Sequence, residues 1–284
     1  QQMYGRGPHA APAAATQVQF DGLRVLLVED NVINQMIATE LMTGAGVVVE
    51  VADNGRVALG KLTSGQRYDV VLMDLQMPEM DGYAATAAIR ADASIADVTI
   101  VAMTAHVMAE ERERCIAVGM NDFISKPVDP EMLFATLSRW DRRLSEDKSR
   151  DVPDHAVDAD GAASAIQFDA HWIDTASALR RVNGNMLLYH RLLMQFVAGQ
   201  ADVAAKIAAL LVTGDRDEAA GAAHGIKGVA ANLGAAALAE AAGKLERAIR
   251  STTENAQQLE SFTKTCAATI AAICDALPET VLSH

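Results

Sequence analysis

Five polar residues stand where a buried sheet would otherwise place apolar ones, and their types complement one another. Glu29 and Asp30 follow the run RVLLV, Asp74 follows DVVLM, Thr104 follows TIVAM and Lys126 follows DFIS. If the first and third runs lie side by side, three carboxylates converge, and their repulsion is costly unless a cation neutralises them. Ligands that are all oxygen point to Mg²⁺. Held by Asp30 and Asp74, with Glu29 through water and the backbone carbonyl of Gln76, the ion would screen the carboxylates and stabilise a transferring phosphoryl group. Lys126 adds a fixed positive charge, the Thr104 hydroxyl offers a hydrogen bond to a phosphoryl oxygen, and Asp74 is left as the nucleophile.

A second group of residues lies far along the chain, in DEAAGAAHGIKGVAANL. Ile226, Val229, Ala230 and Leu233 follow the core-facing spacing, and at roughly 100° per residue His224 points nearly opposite to Ile226. The expectation is a histidine that faces solvent. Lys227, one turn on, lies on the same side and can neutralise a phosphoryl group on the imidazole. Gly221, Gly225 and Gly228 crowd this region although each costs about 1 kcal/mol against Ala in a helix. Small residues there would let another protein's pocket reach the ring.

The elements that must position these residues fall into two kinds. From Arg24, the short apolar runs RVLLV, VVVEV, DVVLM, TIVAM and DFIS alternate with helical patterns. Five strands and five helices fit, and near-continuous apolar strands imply a parallel, doubly wound α/β sheet covered on both faces. From Phe168 strand signals vanish. Long helical patterns divided near Gly184, Gly214, Gly234 and Thr252 predict four main helices and a short leading one, an antiparallel four-helix bundle. Leu187, Leu188, Leu192, Gln195, Phe196, Val203, Ile207, Leu210 and Leu211 trace an apolar face along the longest, and Asp215 with Glu218 resembles a capping box. The expected division is 1–21 as a tag, linker or cut edge beginning at Gln1, 22–144 and 168–280 as the two domains, and 145–167 as a flexible linker.

Composition closes off other classes. The chain has 284 residues, 50% of them hydrophobic, which is enough for two cores. A net charge of -13 argues against gripping nucleic acid, which requires clustered Lys and Arg. Three scattered cysteines make neither a disulfide framework nor a CxxC metal site and read as reduced thiols of a cytoplasmic protein. Without an uninterrupted run of about 18 apolar residues, no membrane contact is expected.

The pieces LLVEDNVINQ, MDLQMPEMDG, AMTA and ISKPV, in this order, resemble the receiver domain of two-component signalling in the form found on hybrid histidine kinases. The resemblance implies a flavodoxin-like sheet of order 2-1-3-4-5, phosphorylation of Asp74 with Mg²⁺, a Thr104 and Phe123 switch pair, and a cis bond between Lys126 and Pro127. HGIKGVAANLGA, with RRVNGNMLLYHRLLMQF before it and LAEAAGKLERAI after it, resembles the histidine phosphotransfer signature. It implies His224 as phosphoryl carrier, Lys227 as charge partner and Gly228 as clearance. Together these imply traffic from a histidine kinase domain, in cis or in trans, to Asp74, then His224, then a downstream response regulator receiver. No nucleotide-binding kinase core is legible, so phosphotransferase activity from ATP would belong to a larger hybrid kinase. Each residue also has a blander reading: a lone Asp at a strand end is usually a helix cap, Phe123 alone reads as core, and Gly82 as turn chemistry. An Asp-dependent phosphatase would need a second acid at position 76, which is Gln. A scaffold without phosphotransfer is the remaining alternative.

Overall fold

The computed structural model describes residues 19–104, 109–141, 172–251 and 255–277. The expected linker 145–167, most of segment 1–21 and the division at Thr252 lie outside them. Five strands, β1 (Arg24–Val28), β2 (Val48–Ala52), β3 (Val70–Asp74), β4 (Thr99–Thr104) and β5 (Asp122–Ser125), form one sheet of order β2-β1-β3-β4-β5. All pairings are parallel. β1 and β3 are neighbours, with Val28 opposite Met73, so the residues following β1 meet the end of β3. The middle strands are apolar on both faces because both are covered: Leu26, Leu27, Val71 and Leu72 are all fully buried. Helices α1 (Val32–Gly44) and α5 (Pro130–Trp140) pack on one face, and α2 (Gly55–Thr63), α3 (Gly82–Ala91) and α4 (Ala109–Ala117) on the other.

The helices that start at the polar edge are held by side-chain caps. Asn31 Oδ1 accepts from the Ile33 and Asn34 amides at 3.0 and 3.4 Å, Asp81 Oδ1 from Ala84 at 2.7 Å, and Asp129 Oδ1 from Met132 at 3.1 Å ahead of Pro130. Gly82 does more than turn chemistry requires. A Cβ there would lie 2.3 Å from the carbonyl oxygen of Asp74, so α3 can start against the backbone of β3 only without a side chain.

The second unit is helical: α6 (Thr175–Arg181), α7 (Met186–Gln200), α8 (Val203–Thr213), α9 (Arg216–Asn232), α10 (Ala236–Arg250) and α11 (Ala256–Ala276). Its bundle is built on α9 against α10, with α11 and the α7–α8 pair closing it. The longest expected helix is interrupted at residues 201–202, so its apolar face is two faces. Leu188, Leu192, Phe196, Val203 and Ile207 are buried as expected, but Gln195 is exposed and Leu187 is 72% exposed. Asp215 precedes α9 without capping it by its side chain; instead its carboxylate accepts from Thr213 Oγ1 at 2.6 Å. Taken through the break, Met186–Thr213 is long and apolar enough by length and composition to cross a membrane.

The two units touch. α1 packs against α7 and α9, and one apolar cluster runs from the α1 and α5 side of the sheet into the bundle. At the contact Asn185 Nδ2 donates to Glu40 Oε1 at 2.8 Å, and Asn232 Nδ2 to Asn34 Oδ1 at 2.8 Å.

Candidate functional site

The parallel order of β1, β3 and β5 brings the predicted carboxylates to one place. One carboxylate oxygen from each of Glu29, Asp30 and Asp74 lies within 4.8 Å of the others. Glu29 and Asp74 are buried, at 2% and 4% exposure, while Asp30 reaches the surface. Loss of hydration, and next the negative charge of Asp74, raise Asp30 to about 6, with Lys126 opposing. Burial likewise raises Glu29, against the pull of Lys126. The Lys126 ammonium sits between two of the acids, 2.5 Å from Glu29 Oε2 and 2.7 Å from Asp74 Oδ2. Burial works against its charge, but Glu29 and Asp74 outweigh that and hold its pKa above the usual lysine range. Three crowded acids with a single ammonium are short of positive charge, and their donors are all oxygen. That is the donor set a hard divalent cation takes.

The other predicted residues fall around this pocket. The Gln76 amide donates to Asp74 Oδ1 at 3.3 Å. Thr104 is buried at the end of β4, and its carbonyl accepts from the Lys126 amide at 2.6 Å. Phe123 is half-buried among the residues packed on the α3 and α4 side, with the Arg112 guanidinium 5.3 Å above its ring. The Lys126–Pro127 bond is cis, as the resemblance implied.

His224 is on the face of α9 away from the buried Ile226, but it does not stand free in solvent. Its side chain is only 14% exposed, and it lines the same cleft as Asp30, Asp74, Lys126 and Lys227. A positive charge on its ring would lower the Asp30 pKa. Its ring is also tethered: Nδ1 is 3.0 Å from Glu246 Oε1 on α10. At Gly228 a Cβ would just reach Asn34 Nδ2, at 3.9 Å, so anything larger would press on the sheet domain. Gly221 and Gly225 face open space.

Glu246 was not singled out from the sequence. It is 4% exposed, and its second oxygen lies 3.7 Å from Lys227 Nζ, while Arg250 Nε is 3.3 Å from the first. Burial alone would raise its pKa, but His224, Lys227 and Arg250 together bring it down to about 2. The stability this contributes is present above the ordinary glutamate value of 4.5 and is lost as pH falls toward 2. The available signal was its place beside Leu238, Ala242, Leu245 and Ile249, a charged residue flanking an otherwise apolar stripe.

Residues 25–138 match the response regulator receiver domain, and residues 191–280 match the Hpt domain. The sensor protein GacS of Pseudomonas syringae is 30% identical over 192 residues, 66% of this chain and 19% of its own length. Hybrid signal transduction histidine kinase B of Dictyostelium discoideum is 41% identical over 116 residues, 37% of this chain and 6% of its own. The chain thus spans a fifth or less of both relatives. Among solved structures, the receiver domain of sensor histidine kinase PA1611 from Pseudomonas aeruginosa, with magnesium in its active site cleft, is 39% identical, covers 42% of this chain and 97% of that one, and has a TM-score of 0.39.

Proposed function

Since the chain joins a response regulator receiver domain to an Hpt domain, we propose that it relays a phosphoryl group between them and onward. Asp74 accepts the group from a histidine kinase domain, in the same or another polypeptide, and passes it to His224, from which a downstream response regulator receiver takes it. The observation that carries this reading is that Asp74, Lys126 and His224 line a single cleft. We divide the chain at 22–144 and 168–280, and place it in the cytoplasm with its ATP-fed donor.

In this reading Asp30, Asp74, Glu29 through water and the Gln76 carbonyl hold Mg²⁺, which when bound would offset the negative charge gathered on the phosphoryl oxygens. Lys126 pairs with one of those oxygens and the Thr104 hydroxyl donates to another. Thr104 and Phe123 then move as the switch pair a partner senses. Transfer to the bundle forms a bond from His224 Nε2 to phosphorus as the bond to the Asp74 carboxylate breaks, releasing Asp74 as an anion. The Nδ1 proton stays on the ring and is donated to Glu246, which fixes the tautomer that leaves the Nε2 lone pair free. Lys227 faces the arriving negative charge, and Gly228 leaves room for the donor.

The test is incubation of the purified chain with acetyl phosphate and Mg²⁺. Base-labile phosphate on the aspartate is expected first and acid-labile phosphate on the histidine after it. A scaffold would gain neither.

Because Asp30 and Glu29 must lose protons held up to about pH 6 and about pH 7, Mg²⁺ affinity should rise as pH goes from about 5 to 8 and level off above. Calorimetric titration at several pH values reads this directly, and an affinity flat across that range would contradict the ligand assignment. Glu246 gives a second prediction. Glu246→Ala should slow arrival of phosphate on His224 about tenfold, the equivalent of about 1.4 kcal/mol, and Glu246→Gln should recover most of it by still accepting the Nδ1 proton. Equal rates in the alanine variant and the wild type would remove Glu246 from the mechanism.

A further inference from the structure

The contact between the two units contains a buried polar thread that the transfer chemistry does not require. Asn232 lies two turns beyond His224 on α9 and is 6% exposed. Its Nδ2 donates to Asn34 Oδ1 at 2.8 Å, Asn34 Nδ2 donates to Glu29 Oε1 at 2.9 Å, and Glu29 Oε2 accepts from Lys126 at 2.5 Å. Lys126 in turn contacts Asp74 at 2.7 Å. A chain of four polar contacts therefore joins the helix bearing the histidine to the nucleophile. Its direction is fixed: Asn34 can bridge the two units only with its amide nitrogen toward the carboxylate and its carbonyl toward Asn232. Turning either amide over would set like groups against each other.

A second observation lies beside it. Asn232 Oδ1 is buried with no hydrogen-bond partner among the described residues. Asn232, Asn34, Glu29 and Lys126 line a small cavity of about 10 Å³, closed by Ile37 and Met103. That is room for about one water with enough polar neighbours to hold it. Lys126 spends two of its three protons on Glu29 and Asp74, so the third can reach such a water, which can in turn donate to Asn232 Oδ1.

We propose that the Asn34–Asn232 amide pair is a positioning device that seats the phosphotransfer helix on the receiver pocket in the register where His224 meets Asp74. The proposal rests on the reading that these two residues exchange phosphate. Neither amide touches the phosphoryl group; they act through placement of α9, and their loss leaves the apolar contact of α1 free to slide. An apolar residue at 232 would bury comparable area without choosing a register, so an amide there selects one docking geometry among several.

The test uses the full chain charged with acetyl phosphate and Mg²⁺, following phosphate on His224 relative to phosphate on Asp74 in the same sample by acid and base lability. Asn232→Ala is expected to slow the transfer about tenfold. Asn232→Asp, which sets a carboxylate against Asn34 Oδ1, should slow it further while keeping the side chain's shape. A double-mutant cycle separates positioning from general damage: Asn34→Ala combined with Asn232→Ala should be no slower than the slower single variant. Wild-type transfer in Asn232→Ala and Asn232→Asp, or multiplicative losses in the double variant, would overturn the proposal while leaving the relay intact. If the wild-type chain gains phosphate on Asp74 and none on His224, the relay reading itself fails.

Discussion

Asp74→Asn should take covalent phosphate from acetyl phosphate and Mg²⁺ down to background, at the aspartate and at the histidine alike. The amide keeps the shape of the side chain and its contact with the Gln76 amide, but it has no anionic oxygen with which to attack phosphorus. It also removes one of the three carboxylate charges proposed to hold Mg²⁺, so Mg²⁺ binding should weaken in parallel. Lys126 keeps Glu29 as a partner at 2.5 Å, so the fold should survive and a thermal melt should stay cooperative. Labelling of His224 in this variant, with no donor present other than acetyl phosphate, would mean that the histidine is charged by a route that bypasses the sheet domain.

His224→Gln should do the opposite: phosphate accumulates on Asp74, all of it base-labile, and none passes to a separate receiver. Gln can still reach Glu246, where His224 Nδ1 now sits at 3.0 Å, so α9 and α10 should stay in register. What it lacks is a nucleophilic ring nitrogen. Accumulation on Asp74 above the wild-type level is a further expectation, because the outlet is closed while the inlet is intact. Acid-labile phosphate in this variant would move the carrier role to another histidine. His190, on α7 with burial lowering its pKa, is the one to examine then.

Much of this arrangement was legible in the residues. Strands buried on both faces read as continuous apolar runs, and the polar residues at their ends stand out against that background. This is why Glu29, Asp30, Asp74, Thr104 and Lys126 stand out as a group in the sequence, and why the order β2-β1-β3-β4-β5 brings them together. Helical spacing also gave the side of α9 that His224 occupies. It could not give what lies beside that side: His224 is paired with Glu246 of α10 and faces a cleft shared with the sheet domain, both distant in sequence. Glu246 was hidden for the same reason, since its meaning depends on a partner 22 residues away on another helix. The break at Ala201–Asp202 carries neither Gly nor Pro, so periodicity read straight through it. Asp215 had the residue type of a cap, but Thr213 competes for its carboxylate. Gly82 looked like a turn residue because the obstruction a side chain would meet, the backbone of Asp74, comes from a strand rather than from the turn.

On the cleft shared by Asp74 and His224 we propose that phosphate crosses within one chain, and a complementation experiment measures this most directly. Wild-type chain charged on Asp74 should pass phosphate to His224 at a rate independent of protein concentration. A mixture of the Asp74→Asn and His224→Gln chains, in which the donor and the acceptor sit on different molecules, should transfer more slowly and in proportion to concentration. Equal rates in the mixture and the wild type, both scaling with concentration, would contradict the intrachain relay.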